Sequence, residues 1–564
     1  MQSRCQEVIL LLAVACAVAM PATGQQHQSP TAGVANVGAS PEDLLADPVG
    51  ANWTSYNGDY SGRRYSSLRE INSENAPRLR AAWVFHPGNS QRLEATPVVV
   101  RGVMYVTSAN DTFALDARSG RVLWHHQRPA SSGLLDDAAA HKNRGVAVWQ
   151  NFVYMETDDA HLLCLDARSG GLRWDVTYAD KKKGYGATSA PLVVKNEVIV
   201  GSSGGDSGVR GFLAAYDALT GKLKWRFWTI PAPGEFGSSS WPGDSYLHGG
   251  GTTWMPGTYD PVLDTLYWTT SNPSPDFVGD SRPGDDLYTA CVLALDPNTG
   301  KLKWYFQFTP HDLYDFDGNE TPVLLDIDDK SDDKSDAKSN DKREGKNGTR
   351  RLLVQADRNG FLYVLDRTNG KFLSASRFVE KMNWATGIDP SGRPILTGRI
   401  PTPQGTYICP SINGATNWFS PSYNPDTNLF YVMALESCNL FFADPKPFAT
   451  GETYYDTGTK LPPDEHPQKI LLALSLLDGK PVWRYSQAGH GDSWGGTLTT
   501  AGALVFFGDD AGSFEAVDAR TGHALWHFNT GQRIDASPMT YSVDGIQFVT
   551  IAAGSDVFSF SLPH

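Results

Sequence analysis

An all-β chain closed into an eight-bladed propeller with W-type repeats is the fold this sequence predicts, and three observations predict it. The first is a recurring phrase: an apolar run, an Asp, a Gly-containing turn, then a Trp eight positions after the Asp. It reads Ala114-Leu115-Asp116 to Trp124, Cys164-Leu165-Asp166 to Trp174, Ala215-Tyr216-Asp217 to Trp225, Ala294-Leu295-Asp296 to Trp304 and Ala516-Val517-Asp518 to Trp526. Two copies are degraded: Val364-Leu365-Asp366 has Ser374 in place of the Trp, and Ala473-Leu474-Ser475 keeps Trp483 without the Asp. The second observation is the turn chemistry, Ser-Gly, Thr-Gly, Asn-Gly or Asp-Gly in every copy, which suits the positive φ of a connection between antiparallel strands. The third is continuity. The repeat runs from about residue 80 to the C-terminus with no linker-like break, although 564 residues would by length alone suggest several domains.

Each unit is therefore a hairpin, and a hairpin cannot bury its apolar face alone. Radial stacking of such units leaves only short, protected edges. Within the unit the Asp is expected to tie its turn to backbone amides, and the Trp to wedge between neighbouring blades. Seven phrases are visible. An eighth blade is expected where Ala82-Trp83-Val84-Phe85 pairs with the final strands at 546–562. Long insertions follow Trp225, Trp304 and Ser374, and functional loops are expected there.

In chain order, residues 8–20 form an apolar run after Arg4 and Glu7, continuing into Met20-Pro21-Ala22-Thr23-Gly24, which reads as a secretory signal cleaved near residue 24. Thirteen apolar positions are too few to span a bilayer. The chain thus divides into a signal (1–24), a flexible N-terminal segment (25–50) and one propeller (51–564) of a periplasmic or secreted protein. Residues 329–348 are charged and low in complexity, which reads as a disordered surface loop. The oligomeric state is left open.

The net charge of −14 argues against a nucleic-acid partner, which asks for a basic face. Of six cysteines, Cys5 and Cys16 lie in the signal, and Cys164 and Cys291 sit inside apolar strand phrases as small buried hydrophobes. Cys409 and Cys438 flank an insertion, and in an oxidising compartment they are the candidate disulfide. No Cys-x-x-Cys-His occurs, so the chain carries no covalent c-type haem, and any cytochrome would be a separate protein.

A propeller by itself does not specify function. The insertions carry more: Gly249-Gly250-Gly251-Thr252-Thr253-Trp254, then Trp268-Thr269-Thr270-Ser271-Asn272-Pro273-Ser274-Pro275, then Thr309-Pro310-His311-Asp312-Leu313-Tyr314-Asp315-Phe316-Asp317. With these motifs the chain resembles the quinoprotein alcohol dehydrogenases of the methanol and ethanol dehydrogenase type, eight-bladed propellers that bind pyrroloquinoline quinone (PQQ). The resemblance extends from Tyr56-Asn57-Gly58-Asp59-Tyr60 to Ser537-Pro538-Met539-Thr540-Tyr541.

The resemblance implies a metal beside the quinone, acting as Lewis acid and held by hard oxygen ligands. It places Asn272 as amide ligand and Asp206 where the family usually has Glu, one methylene shorter. Asp315 matches the catalytic base. Asp317, two residues on, resembles the additional ligand of the lanthanide-dependent branch, so a lanthanide is favoured over calcium; a solvated turn residue is the alternative. For the quinone, Trp254 matches the floor of the slot, and Glu94, Arg144, Thr188, Ser203, Gly204, Gly205, Thr252, Asn417 and Trp494 match contacting or lining positions. Arg358 resembles the guanidinium near the reactive oxygens. The chain departs from many members at Ala138-Ala139, where two adjacent cysteines form a ring over the other face of the quinone; His141 is the candidate replacement.

Together these imply an exported enzyme that oxidises a primary alcohol to the aldehyde by hydride transfer to the quinone, with electrons passed to a soluble acceptor such as cytochrome c. A PQQ-dependent sugar or polyol dehydrogenase and a non-catalytic envelope scaffold are the competing readings. Trp241, His248, Trp418, Phe419 and Trp494 are expected to wall the substrate cavity.

Overall fold

The computed structural model of the chain describes residues 37–88, 92–134, 141–328, 348–454, 457–491 and 493–563. Among these, eight sheets built on four antiparallel strands form the blades, and the seventh gains a fifth strand, Tyr65–Ser66, parallel to Thr499 and Thr500. They span residues 98–126, 147–177, 192–228, 258–307, 323–377, 422–486 and 497–529 for the first to seventh. The eighth consists of Met539–Val543, Ile546–Ala553 and Asp556–Ser561, with Arg80–Phe85 added at its edge. Val84 pairs with Phe558 and Phe85 with Val557, so the ring is closed by an early strand hydrogen-bonded to the last one, as the sequence predicts. The signal segment and most of residues 329–348 lie outside the described residues.

The Asp-to-Trp phrase proves to be a device that joins neighbouring blades. Within a blade, Asp116 Oδ1 accepts the backbone N–H groups of Arg118 and Ser119, both at 3.0 Å, and Asp166, Asp217, Asp296, Asp366 and Asp518 hold their turns in the same manner. The connection is longer than a two-residue hairpin loop: Gly120 N–H returns to Asp116 O at 2.8 Å and the strand register slips at the following pair. Between blades, six indoles lie on the turn glycine of the next blade. A Cβ on Gly170 would stand 2.6 Å from Trp124 Cε3, and Gly120, Gly221, Gly300, Gly370 and Gly522 face Trp83, Trp174, Trp225, Trp304 and Trp483 in the same way. The indole N–H of Trp124 also donates to Ala167 O at 2.9 Å, the residue after the next blade's Asp. Trp83, Trp225 and Trp483 repeat that bond, and Trp526 donates to Leu79 O across the closure. Where the Trp is lost at Ser374, Ser376 occupies the seat against Gly479.

Strand order then decides where the chemistry can lie. In a four-stranded meander the connection between strands two and three, and the link to the next blade, fall at one end of the ring, while the Asp-Gly turns fall at the other. The long links 229–257, 308–322 and 378–421, and the loop 270–290 inside the fourth blade, are all at the first end. A small sheet of Thr406–Ile408, Asn439–Ala443 and Thr457–Lys460 is added there, and the Cys409–Cys438 disulfide fastens it.

Candidate active site

Every residue expected at the site belongs to the link-bearing end. Glu94, Arg144, Thr188, Thr252, Trp254, Asp315, Asp317, Asn417 and Trp494 are on links between blades, and Ser203, Gly204, Gly205, Asp206, Asn272 and Arg358 are on loops between second and third strands. Three loops converge most closely. Asp206, Asp276 and Asp315 each present a carboxylate oxygen, and the three oxygens lie within 4.8 Å of one another. Asp276 is new: the sequence reading stopped at Pro275. The signal available was an acid flanked by Pro275 and Phe277, four residues after Asn272 in the same loop.

Arg358 is the cation beside this group. Its Nη1 is paired with Asp317 Oδ2, and its Nη2 lies 3.4 Å from Asp315 Oδ2 and donates to Ile412 O at 2.6 Å. Asp317 Oδ1 accepts the Asn272 backbone N–H at 2.8 Å. Both oxygens of Asp317 are therefore hydrogen-bonded within the protein, and each keeps a second lone pair with which it could meet a cation. The Asn272 amide Nδ2 donates to Pro273 O at 3.3 Å, and its Oδ1 is the atom of that side chain suited to a cation.

Burial dominates the electrostatics. It pushes the Asp315 carboxyl well above the carboxylate range, with Arg358 opposing and the charges of Asp317, Asp206 and Asp312 adding to the rise. Asp276 is likewise raised by burial and then by Asp206 and Asp315, and Asp317 by burial against the pull of Arg358. For Arg358 burial acts downward, and the neighbouring carboxylates Asp315, Asp317 and Glu320 outweigh it and hold the guanidinium firmly charged. A hard cation among the three oxygens would reverse the sign for the aspartates and leave them ionised. The donor set, carboxylate and amide oxygens only, fits such an ion.

Around this centre lies a set of flat and cationic groups. Arg144 is nearly fully buried, with Nη2 2.7 Å from Glu94 Oε2 and Nη1 donating to Thr188 O at 3.0 Å. Its guanidinium carbon stands 5.0 Å from the Trp254 ring and 4.4 Å from the Trp418 ring. Trp418 in turn stacks with Trp494 at 6.2 Å and 18°. Thr252 Oγ1 is bonded to Ser271 Oγ at 2.9 Å and Asn417 Nδ2 to Asn413 O at 2.9 Å. Ser203 N–H donates to Gly186 O, and Gly204 is held at φ +100°, where a side chain would meet Gly184 O. The Nε atoms of Arg144 and Arg358 and Thr416 Oγ1 are buried with no protein partner, so this wall fits a planar, polyanionic group.

The β-propeller domain of PQQ-dependent glucose, ethanol and alcohol dehydrogenases matches this chain over residues 53–384 and 486–549. The chain belongs to the PQQ-dependent alcohol dehydrogenase family. It is 36% identical to the quinoprotein alcohol dehydrogenase PedH of Pseudomonas putida over 93% of its own length and 89% of the relative's. It is 32% identical to methanol dehydrogenase [cytochrome c] subunit 1 of Paracoccus denitrificans, covering 91% and 84% of the two chains. A solved europium-containing methanol dehydrogenase superposes with a TM-score of 0.82 at 31% identity, covering 92% of this chain and 99% of that one.

Within this quinoprotein the aromatic expectations separate. Trp418 lies against Arg144 and Trp494 stacks on Trp418, and the two form a wall. Trp241 instead packs on Gly249 and donates to Leu287 O, Phe419 is core, and His248 stacks on Phe448 at 3.6 Å. Ala138-Ala139 lie outside the described residues. His141 is at φ +59° with Nδ1 3.4 Å from Asp158.

Proposed function

We propose that this PQQ-dependent enzyme is exported and oxidises a primary alcohol to its aldehyde beside one bound metal ion, a lanthanide in preference to calcium, with electrons leaving to an external acceptor such as a cytochrome c. The observation that carries the reading is the meeting of Asp206, Asp276 and Asp315 oxygens within 4.8 Å, next to the Arg358 guanidinium.

Bound PQQ supplies the two-electron acceptor. The chain's own residues supply the rest. Asp315 takes the substrate hydroxyl proton as the carbon-bound hydrogen departs as hydride, so that charge never accumulates on the substrate oxygen. Arg358, fixed by Asp317 and Ile412 O, directs a permanent cation at the charge that develops on the acceptor. Trp254 offers the flat floor, and Arg144 with Glu94 the polar edge. Asp206, Asn272 and Asp315, with Asp317 behind them, provide only hard oxygen donors. Three carboxylates beside a self-neutralised Asp317–Arg358 pair leave an excess of negative charge that suits a trivalent ion. The europium-containing relative supports the choice of metal, and the cytochrome c in the Paracoccus relative's name supports the acceptor. Export rests on the apolar run at 8–20.

The test is reconstitution of the purified chain with PQQ and either lanthanum or calcium, following dye reduction with short primary alcohols, aldehydes and sugars. Turnover of primary alcohols with lanthanum is expected. Failure to take up quinone with either metal would overturn the proposal.

A further inference from the structure

Asp276 calls for an explanation that the family resemblance does not provide. Its residue is 1% exposed, and neither carboxylate oxygen has a hydrogen-bond partner. A buried carboxylate in that position is costly unless it is paired, protonated or bound to a cation.

The obvious protein partner is already committed elsewhere. Arg282, fully buried, gives Nη1 to the equally buried Asp286 carboxylate. Its Nε and Nη2 go to Pro275 O at 3.1 and 2.9 Å, and Nη2 reaches Asp276 O at 3.3 Å and Asp312 O at 2.7 Å. Arg282 thus clamps the backbone on both sides of the site and, although its charge favours the Asp276 carboxylate, gives that side chain no hydrogen bond. Arg358 is likewise engaged with Asp317 and Ile412 O.

The same clamps hold the three acidic loops in fixed relation. Ser274 Oγ donates to Gly205 O at 2.7 Å, joining the Asp276 loop to the Asp206 loop. Asp312 accepts the backbone N–H groups of Tyr314 and Phe316 at 3.0 and 2.8 Å, which shapes the turn that carries Asp315. A set of carboxylates held together by independent backbone bonds is preorganised for a ligand.

We infer that Asp276 is a direct ligand of the active-site metal, approaching from the fourth-blade loop and completing the coordination that the short side chain of Asp206 leaves open. The inference deepens the proposed function and rests on the metal that it requires. Asp206, Asp276 and Asp315 bring three carboxylates to one point while Asp317 is paired with Arg358, a donor set that favours an ion of high charge. Asp276 then replaces one coordinated water.

The test uses the full chain reconstituted with PQQ and titrated with terbium, read by sensitised luminescence, and with europium, whose lifetimes in light and heavy water count bound waters. D276N and D276S are compared with D280N, which removes an exposed charge from the same loop. Affinity for terbium is expected to fall roughly 100-fold or more in both Asp276 variants, beyond what changes outside the coordination sphere produce, and the bound-water count to rise. D280N should keep parental values. Without metal, D276N should melt at or above the parent's temperature, because a buried carboxyl without a hydrogen-bond partner has been replaced by a neutral amide, while the rise in melting temperature on adding metal shrinks. Parental affinity and water count in D276N would overturn the inference and leave the proposed function standing. So would a loss in D280N as large as in D276N. A parent chain that binds neither terbium nor calcium would overturn both.

Discussion

Gly170→Ala should be far more costly than its size suggests, because the missing side chain is the seat of a tryptophan from the neighbouring blade. Gly170 has φ +70°, where alanine costs about 1–2 kcal/mol. Its added Cβ would lie 2.6, 2.9 and 3.2 Å from Trp124 Cε3, Cδ2 and Cζ3, against ordinary carbon contacts of about 3.5–4.0 Å. The indole must retreat by roughly 1 Å from a buried position, adding about 1–3 kcal/mol of overpacking. Its 2.9 Å bond to Ala167 O is then stretched or lost, for about another 1 kcal/mol. The sum is about 3–6 kcal/mol. Gly545→Ala is the control: φ is +80° and nothing stands within 4 Å of the new Cβ, so only the backbone cost of about 1–2 kcal/mol remains. Guanidinium denaturation followed by far-UV circular dichroism measures both. In a Trp124→Leu background the excess cost of Gly170→Ala should disappear, since the contact that produces it is gone. Equal losses for the two glycine variants in the parent would refute the blade-joining role of the indole.

Asp315→Asn should lower kcat by about 10²–10⁴-fold while quinone uptake, followed by absorbance, stays intact; parental turnover would remove Asp315 from the role of base. Glu156 is buried, accepts Tyr178 OH at 2.6 Å, and has its carboxyl pushed up to about 8 by burial, with that hydrogen bond opposing. A folded value raised above the unfolded one contributes stability that is full below the unfolded value near 4.5 and is lost as pH rises through about 8. Between pH 5 and 8, Glu156→Gln should therefore gain on the parent by on the order of 3–4 kcal/mol in unfolding free energy, read from denaturation midpoints at each pH. Replacing Cys409 and Cys438 together by Ser opens a loop spanning 29 positions and should cost roughly 3–4 kcal/mol on the chain-entropy account. Reductant should then destabilise the parent but leave the double variant unchanged.

Local and periodic rules govern the part of this protein that is legible in its residues alone. The Asp, the turn glycine and the Trp at fixed spacing specify a hairpin whose turn needs a positive φ and whose indole needs a surface without a Cβ. Repetition of that unit leaves no stable solution but a ring, and the strand around Trp83 has only the final blade to join. The site was legible to the extent that its motifs fall in links at one end of that ring, as Asn272, Asp315 and Arg358 do. The tertiary structure alone decided which partner each polar group takes. Asp206, Asp276 and Asp315 come from separate loops, and their meeting depends on how blades three to five are angled around the axis. Asp276 carries only its place between Pro275 and Phe277 as a signal, because an acid in a loop is solvated unless other loops bury it. Asp317 is paired with Arg358 and the Asn272 amide, a choice settled by distances of a few ångströms across 45 residues of chain or fewer. Trp241 and Trp418 look alike in sequence, yet one packs on a glycine and the other on Arg144. Periodic patterns fix backbone conformation through sterics that act within a few residues, whereas hydrogen-bond and ion-pair partners are fixed by three-dimensional proximity, which no local pattern encodes.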